Sequence, residues 1–211
     1  MPDRQDSFPD ETAPDRLAAA SRSDENPPCL SHLEAQAAGA ADYVHQGMSL
    51  PDRPGVTYAA HLAQVARLVA RSGGTREERA AAWLHHAARE AVFPADQIAL
   101  WYGPRVAELV EVISLVTAAA EGPASGLDVF LAGSIEGADE GVRRLVLCDQ
   151  IAEVQSYAAA RPMRLTREQY LGRLDRARRV AEACGPVSPL LLEILTGALA
   201  AAEAACPSRT H

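Results

Sequence analysis

The 211-residue chain predicts an all-α protein on three grounds. Aromatic residues make up only 5% of a composition that is 48% hydrophobic, and alanine fills most of the apolar stretches. Small side chains of high helix propensity favour closely packed helices, whereas a sheet needs β-branched and aromatic residues to cover its faces. Helix-start residues and glycine stops also alternate along the chain, and apolar positions between them recur every three to four residues. The length suits one domain with a sizeable core, built from eight or nine helices.

The first 28 residues, rich in Pro, Asp, Glu and Ser, predict a disordered tail before a helical domain over 29–206. Ser31 is followed three residues on by Glu34, Thr75 by Glu78 and Thr166 by Gln169, and each pair fits a capping box. Pro94, Pro104 and Pro189 suit first helical positions, where a missing N–H costs nothing. Gly47, Gly73, Gly103, Gly122 and Gly185 suit helix ends. Helices are therefore expected near 31–47, 57–72, 75–91, 95–102, 104–120, 126–135, 138–160, 166–184 and 188–205. The β-branched "VEVISLVTA" is assigned to a helix, because Val106, Leu109, Val110, Ile113 and Val116 repeat at helical spacing and no second strand exists to pair with it.

Charge narrows the function classes. A formal net charge of −8, with no run of Lys and Arg, argues against nucleic acid as a partner. A small phosphorylated ligand needs only a few local cations and stays open. Four widely spaced cysteines, Cys29, Cys148, Cys184 and Cys206, read as reduced apolar fillers of a cytoplasmic protein. No apolar run is long enough to span a membrane, and the N-terminus lacks the basic-then-apolar order of an export signal.

Polar groups enter the predicted core at a few positions. His61 shares a helical face with Val65, Leu68 and Val69 and so points inward. His85 and His86 follow Trp83 and Leu84 near a helix end; neighbouring helical side chains diverge by about 100°, so both can approach one point only at such an end or in a groove. Asp149 completes an apolar stripe with Leu145, Cys148 and Ala152. A buried carboxylate costs several kcal/mol unless a cation faces it. A divalent metal held by imidazoles from two helices and an aspartate from a third meets that need, as would a proton on a histidine, or Arg143 or Arg144.

Five stretches, in order "AADYVHQGM", "RPGVTYAAHLAQVARLVA", "AAAWLHHAAREA", "WYGPRVAELVEVISLVT" and "LVLCDQIAEVQSY", resemble the HD superfamily of metal-dependent phosphohydrolases. The similarity is greatest to its RelA/SpoT-type branch, which includes the small alarmone hydrolases. The motifs fall within residues 37–157, leaving the helical pair over 166–205 outside them. The resemblance implies an HD-type domain that binds one divalent ion, usually manganese, through His61, His85, His86 and Asp149. It also implies removal of pyrophosphate from the 3′ position of guanosine tetra- or pentaphosphate by activated water, with Arg53 and Tyr58 holding the nucleotide.

Three positions depart from the family pattern. His86 stands where the family has the aspartate of its His-Asp pair, which removes a negative charge and tilts metal preference from manganese toward zinc, iron or nickel. Arg89 and Glu90 stand where the family has an acidic pair; Glu90 can still orient the attacking water, and Arg89 is suited to a substrate phosphate. Glu153 replaces an asparagine one turn after Asp149 and is expected to serve as a ligand, a neighbour of the site or a contact for substrate. Two functions follow: a phosphohydrolase of a small phosphorylated nucleotide, or an impaired HD domain that senses a ligand or binds a protein without turnover. The C-terminal pair, with Tyr170, Leu171, Leu174 and Val180 on one face and a solvated arginine face, is expected to pack over the core or to form a homodimer contact.

Overall fold

The computed structural model describes residues 31–50, 53, 55–89, 93–121, 131–159 and 165–206, with backbone alone at some of them, including Arg89. The proline-rich N-terminal segment, Gly122, Glu90 and His211 lie outside the described residues. Eight α-helices are present among the described residues: α1 His32–Val44, α2 Tyr58–Arg71, α3 Arg76–Arg89, α4 Ala95–Tyr102, α5 Pro104–Glu121, α6 Glu140–Ala159, α7 Arg167–Cys184 and α8 Pro189–Ala204. A π-helical turn, Leu131–Ile135, stands where a helix over 126–135 was expected, and residues 122–130 lie outside the described residues. The extended pairing among the described residues is one isolated bridge, Ser49 to Thr57, which closes the loop between α1 and α2. No helix among the described residues is long and apolar enough to cross a membrane.

The helix starts follow their cap residues, with an informative exception. Thr166 and Gln169 form the full capping box at the head of α7. Ser31 and Thr75 accept the amides of Glu34 and Glu78, but the two glutamate side chains do not reach back. Both carboxylates are drawn to arginines instead, Glu34 to Arg79 at 2.7 Å and Glu78 to Arg144 at 2.7 Å. A charge-assisted bond to a guanidinium that is buried, as in Arg144, or partly so, as in Arg79, outweighs a bond to one backbone amide. Pro94 sits one position before α4 as its N-cap, while Pro104 and Pro189 open α5 and α8 as expected.

Helices α3 and α6 are central. α3 packs against α1, α2, α5 and α6, and α6 packs against α2, α5, α7 and α8. Close packing around α3 depends on its alanines: Ala80, Ala81, Ala82 and Ala87 are wholly buried. The core is continuous, running from Ala37 in α1 to Ala202 in α8. Tyr170, Leu174 and Val180 of α7 are buried in it, so the C-terminal pair packs over the core. The arginine face of α7 is not simply solvated, because Arg173, Arg176 and Arg179 are half-buried.

Candidate metal centre

The centre is assembled where α2, α3 and α6 meet. His61 lies one turn into α2, its inward aim fixed by Leu62, Val65 and Val69. His85 and His86 lie in the last turn of α3 and Asp149 in the middle of α6, and all four side chains are buried. The three imidazoles each present a ring nitrogen within 4.8 Å of the others. Their rings cluster, with centroids 4.4 Å apart for His85 and His86 and 5.4 Å for His61 and His86.

Asp149 Oδ1 lies 3.0 Å from His61 Nε2 and 3.5 Å from His85 Nε2. Arginine does not neutralise it: Arg144 pairs with Glu78 and Glu140, and Arg143 donates to the Cys184 carbonyl. Burial alone would push the Asp149 carboxyl up, but hydrogen bonds from His61 and His85 hold it well below the usual carboxylate range.

The donor atoms fit a divalent ion. His85 Nδ1 lies 2.8 Å from the Ala82 carbonyl oxygen, and since that oxygen can only accept, Nδ1 carries the proton. Nε2 is left facing the Asp149 carboxylate oxygen, where a proton on that nitrogen or a cation between the two atoms supplies the positive charge the pair needs. A histidine tied to a backbone carbonyl through one nitrogen, with the other aimed at a cation, is the usual form of a metal-ligating imidazole. The 3.0 Å between His61 Nε2 and Asp149 Oδ1 also matches the edge of an octahedron, which is about 3 Å for ligand bonds of about 2.1 Å.

The wall beside this cluster carries two further predicted or overlooked residues. Tyr58 opens α2, with its ring edge-on to His86 at 5.0 Å. His45, the C-cap of α1, stacks on Tyr58 with centroids 4.5 Å apart and planes 9° from parallel. The signal for His45 in the sequence is its place in "HQG", within the first of the HD-like stretches and sixteen residues before His61. A cleft of about 380 Å³ opens here between the end of α1 and the start of α2, with His45 and Thr57 in its lining.

Arg53 and Glu153 lie away from the imidazoles. Arg53 is buried, donates to Ser156 Oγ at 2.6 Å and stands over the Tyr157 ring at 5.1 Å. Glu153 accepts the Tyr157 hydroxyl at 2.6 Å and lies 3.6 Å from Arg173 Nη1, so its carboxylate turns toward α7. Glu90 and the Arg89 side chain fall outside the described residues.

Residues 37–182 match the HD-domain family, and the chain belongs to it. The solved structure of a metazoan ortholog of SpoT, described as hydrolysing ppGpp with a role in starvation responses, is similar with a TM-score of 0.69 at 16% identity. That similarity covers 81% of this chain and 95% of the other. No curated protein matches the chain by sequence.

Proposed function

We propose that the chain is a metal-dependent phosphohydrolase acting on a small phosphorylated nucleotide, of the kind that removes pyrophosphate from the 3′ position. The observation that carries this reading is a buried Asp149 facing the Nε2 atoms of His61 and His85, with His86 beside them. His61, His85, His86 and Asp149 would hold one divalent ion, which polarises a phosphoryl oxygen and generates a nucleophile from water. Manganese is the family's usual metal, and His86 admits zinc, iron or nickel.

The protein's own groups do the rest. The Ala82 carbonyl holds His85 in one tautomer, so its Nε2 is ready for the ion without rotation. Tyr58 and His45 form an aromatic wall beside His86 on which a base or sugar can rest. The neighbouring cleft is within the size range of small-molecule sites. Glu90 is proposed to orient the water, and Arg53 and Arg89 to meet phosphate.

Metal analysis after growth with manganese, zinc and iron, followed by phosphate and pyrophosphate release from a nucleotide panel, tests the proposal. One ion per chain and turnover that His61→Ala and Asp149→Asn abolish are expected; a chain that takes up no metal would refute it. The second reading, ligand binding without turnover, is favoured by Arg89 in place of a family acid. Metal and nucleotide binding without product release would select it.

A further inference from the structure

We propose that Gln150 is a positioning residue of the candidate metal centre, whose carboxamide ties Asp149 Oδ2 to Glu153, so that Asp149 meets an ion through Oδ1 and α7 steadies the centre through Glu153. The inference rests on the functional reading above and deepens it with a residue to which that reading gives no part.

The first ground is a polar side chain buried beside a proposed ligand. Gln150 is only 4% exposed and follows Asp149 directly in α6. A buried carboxamide needs partners for its N–H groups. Gln150 Nε2 has two, Asp149 Oδ2 and Glu153 Oε2, each at 3.4 Å. Carboxylate oxygens accept, so the nitrogen of the amide and not its oxygen faces them, with one N–H for each. Both contacts are long for this type of bond. Neither alone would hold the side chain, but the two together fix the plane of the amide.

The second ground is the conformation these contacts require. Neighbouring side chains on a helix diverge by about 100°. Gln150 therefore reaches Asp149 only by folding back along α6, while Glu153, three residues on, lies on its own side. The far end of the chain of contacts is anchored: Glu153 accepts the Tyr157 hydroxyl at 2.6 Å and lies 3.6 Å from Arg173 Nη1. Asp149 and Glu153 stand four residues apart, a spacing at which like charges repel. An amide donor between them replaces that repulsion with two attractive contacts.

The third ground is the division of labour at Asp149. Oδ1 faces Nε2 of His61 and of His85 at 3.0 and 3.5 Å, whereas Oδ2 has Gln150 as its hydrogen-bond partner among the described residues. Holding Oδ2 opposes the rotation that would turn Oδ1 away from the imidazoles. Groups that hold a metal ligand in this way are worth about 10–100-fold in metal affinity.

The test replaces Gln150 in the full-length protein with Met, which keeps the length of the side chain and removes both N–H groups. Competition with a chelator should show manganese and zinc held about tenfold or more weakly, and the visible absorption of cobalt(II)-loaded protein, which reports ligand geometry, should change shape. In metal-free protein the imidazole nitrogen resonances of His61 and His85, which report their contacts with Asp149, should shift as well. Glu153→Gln keeps its oxygen on the Tyr157 hydroxyl and so turns its amide nitrogen toward Gln150, donor against donor. It should shift the same two histidines by a smaller amount, and it carries the test if Gln150→Met does not fold. A merely structural Gln150 would lower the melting temperature and leave metal affinity, the cobalt spectrum and the imidazole resonances at their wild-type values, and that result would overturn the proposal. Wild-type protein that takes up no metal would remove the hydrolase reading, and the metal-free resonances would then decide alone: shifted, Gln150 orients Asp149; unshifted, it does not.

Discussion

Helices α3 and α6 carry two buried charged clusters side by side, and the two are completed in different ways. Near the helix starts, Arg144 is held between Glu78 and Glu140. Every charge there has an opposite charge from the chain itself. The fit is so close that a methyl group on Gly141 would stand 2.8 Å from Glu78 Oε1, and one on Gly74 would meet Glu78 Oε2 at 2.8 Å. Further along, Asp149 faces two imidazole nitrogens, His85 being held by its other nitrogen on the Ala82 carbonyl, and among the described residues His61 Nδ1 is buried with no hydrogen-bond partner. The first cluster needs nothing from outside. The second reaches balance only with a proton or a cation, and that incompleteness separates a site from a structural ion pair of the same burial.

Single substitutions should break the two clusters in different assays. Glu78→Gln leaves Arg144 with the exposed Glu140 as its carboxylate partner among the described residues, and losing one partner of a buried pair costs about 3–5 kcal/mol. Urea denaturation of metal-free protein should report that loss, while the metal content of folded protein stays at the wild-type level. Asp149→Asn should do the reverse: phosphohydrolysis falls by more than about 100-fold, since even the outer partners of metal ligands are worth about 10–100-fold, while metal-free stability changes much less than for Glu78→Gln. Equal stability losses for the two variants would erase the distinction. A gentler change sharpens it. His86→Asp adds a hard anionic ligand at the second cluster and should shift preference toward manganese over zinc by on the order of tenfold, measured by competitive metal uptake.

The same contrast explains what the sequence disclosed. Helix boundaries were legible because their determinants are local: Thr166 and Gln169 cap α7 from three residues apart, and Gly73 and Gly185 end α2 and α7 with positive φ. The inward aim of His61 and Asp149 was legible because each falls in an apolar stripe of its own helix. Glu78 was misread as half of a capping box, because its true partner lies 66 residues away and no periodicity announces a long-range ion pair. The half-burial of Arg173 and Arg176 was missed for the same reason: on a helical wheel they belong to the polar face, and only the packing of α7 on α6 brings Arg173 to Glu153. The role of His45 was hidden by position, since a histidine at a helix end has an adequate local explanation and its stacking partner Tyr58 belongs to the next helix.

The smallest effect tests the paired side of the comparison alone. Asp139 caps α6, accepting the Gly141 and Val142 amides at 2.9 and 3.1 Å and a guanidinium N–H of Arg105 at 2.6 Å. The Arg105 hydrogen bond, more than any other influence, lowers its pKa from the ordinary 3.8. A carboxyl depressed on folding contributes stability that is fully present above its unfolded value and is lost as pH falls through its folded value. Asp139→Ala should therefore cost about 1 kcal/mol at neutral pH, a fall in melting temperature of about 2–4 °C for a chain of this size. Below pH 3.8 the gap between wild type and variant should narrow and then close. Thermal melts from pH 2 to 6 would measure it, and a gap constant across that range would mean that the cap acts through packing and not through the charge that Arg105 and the helix amides hold in place.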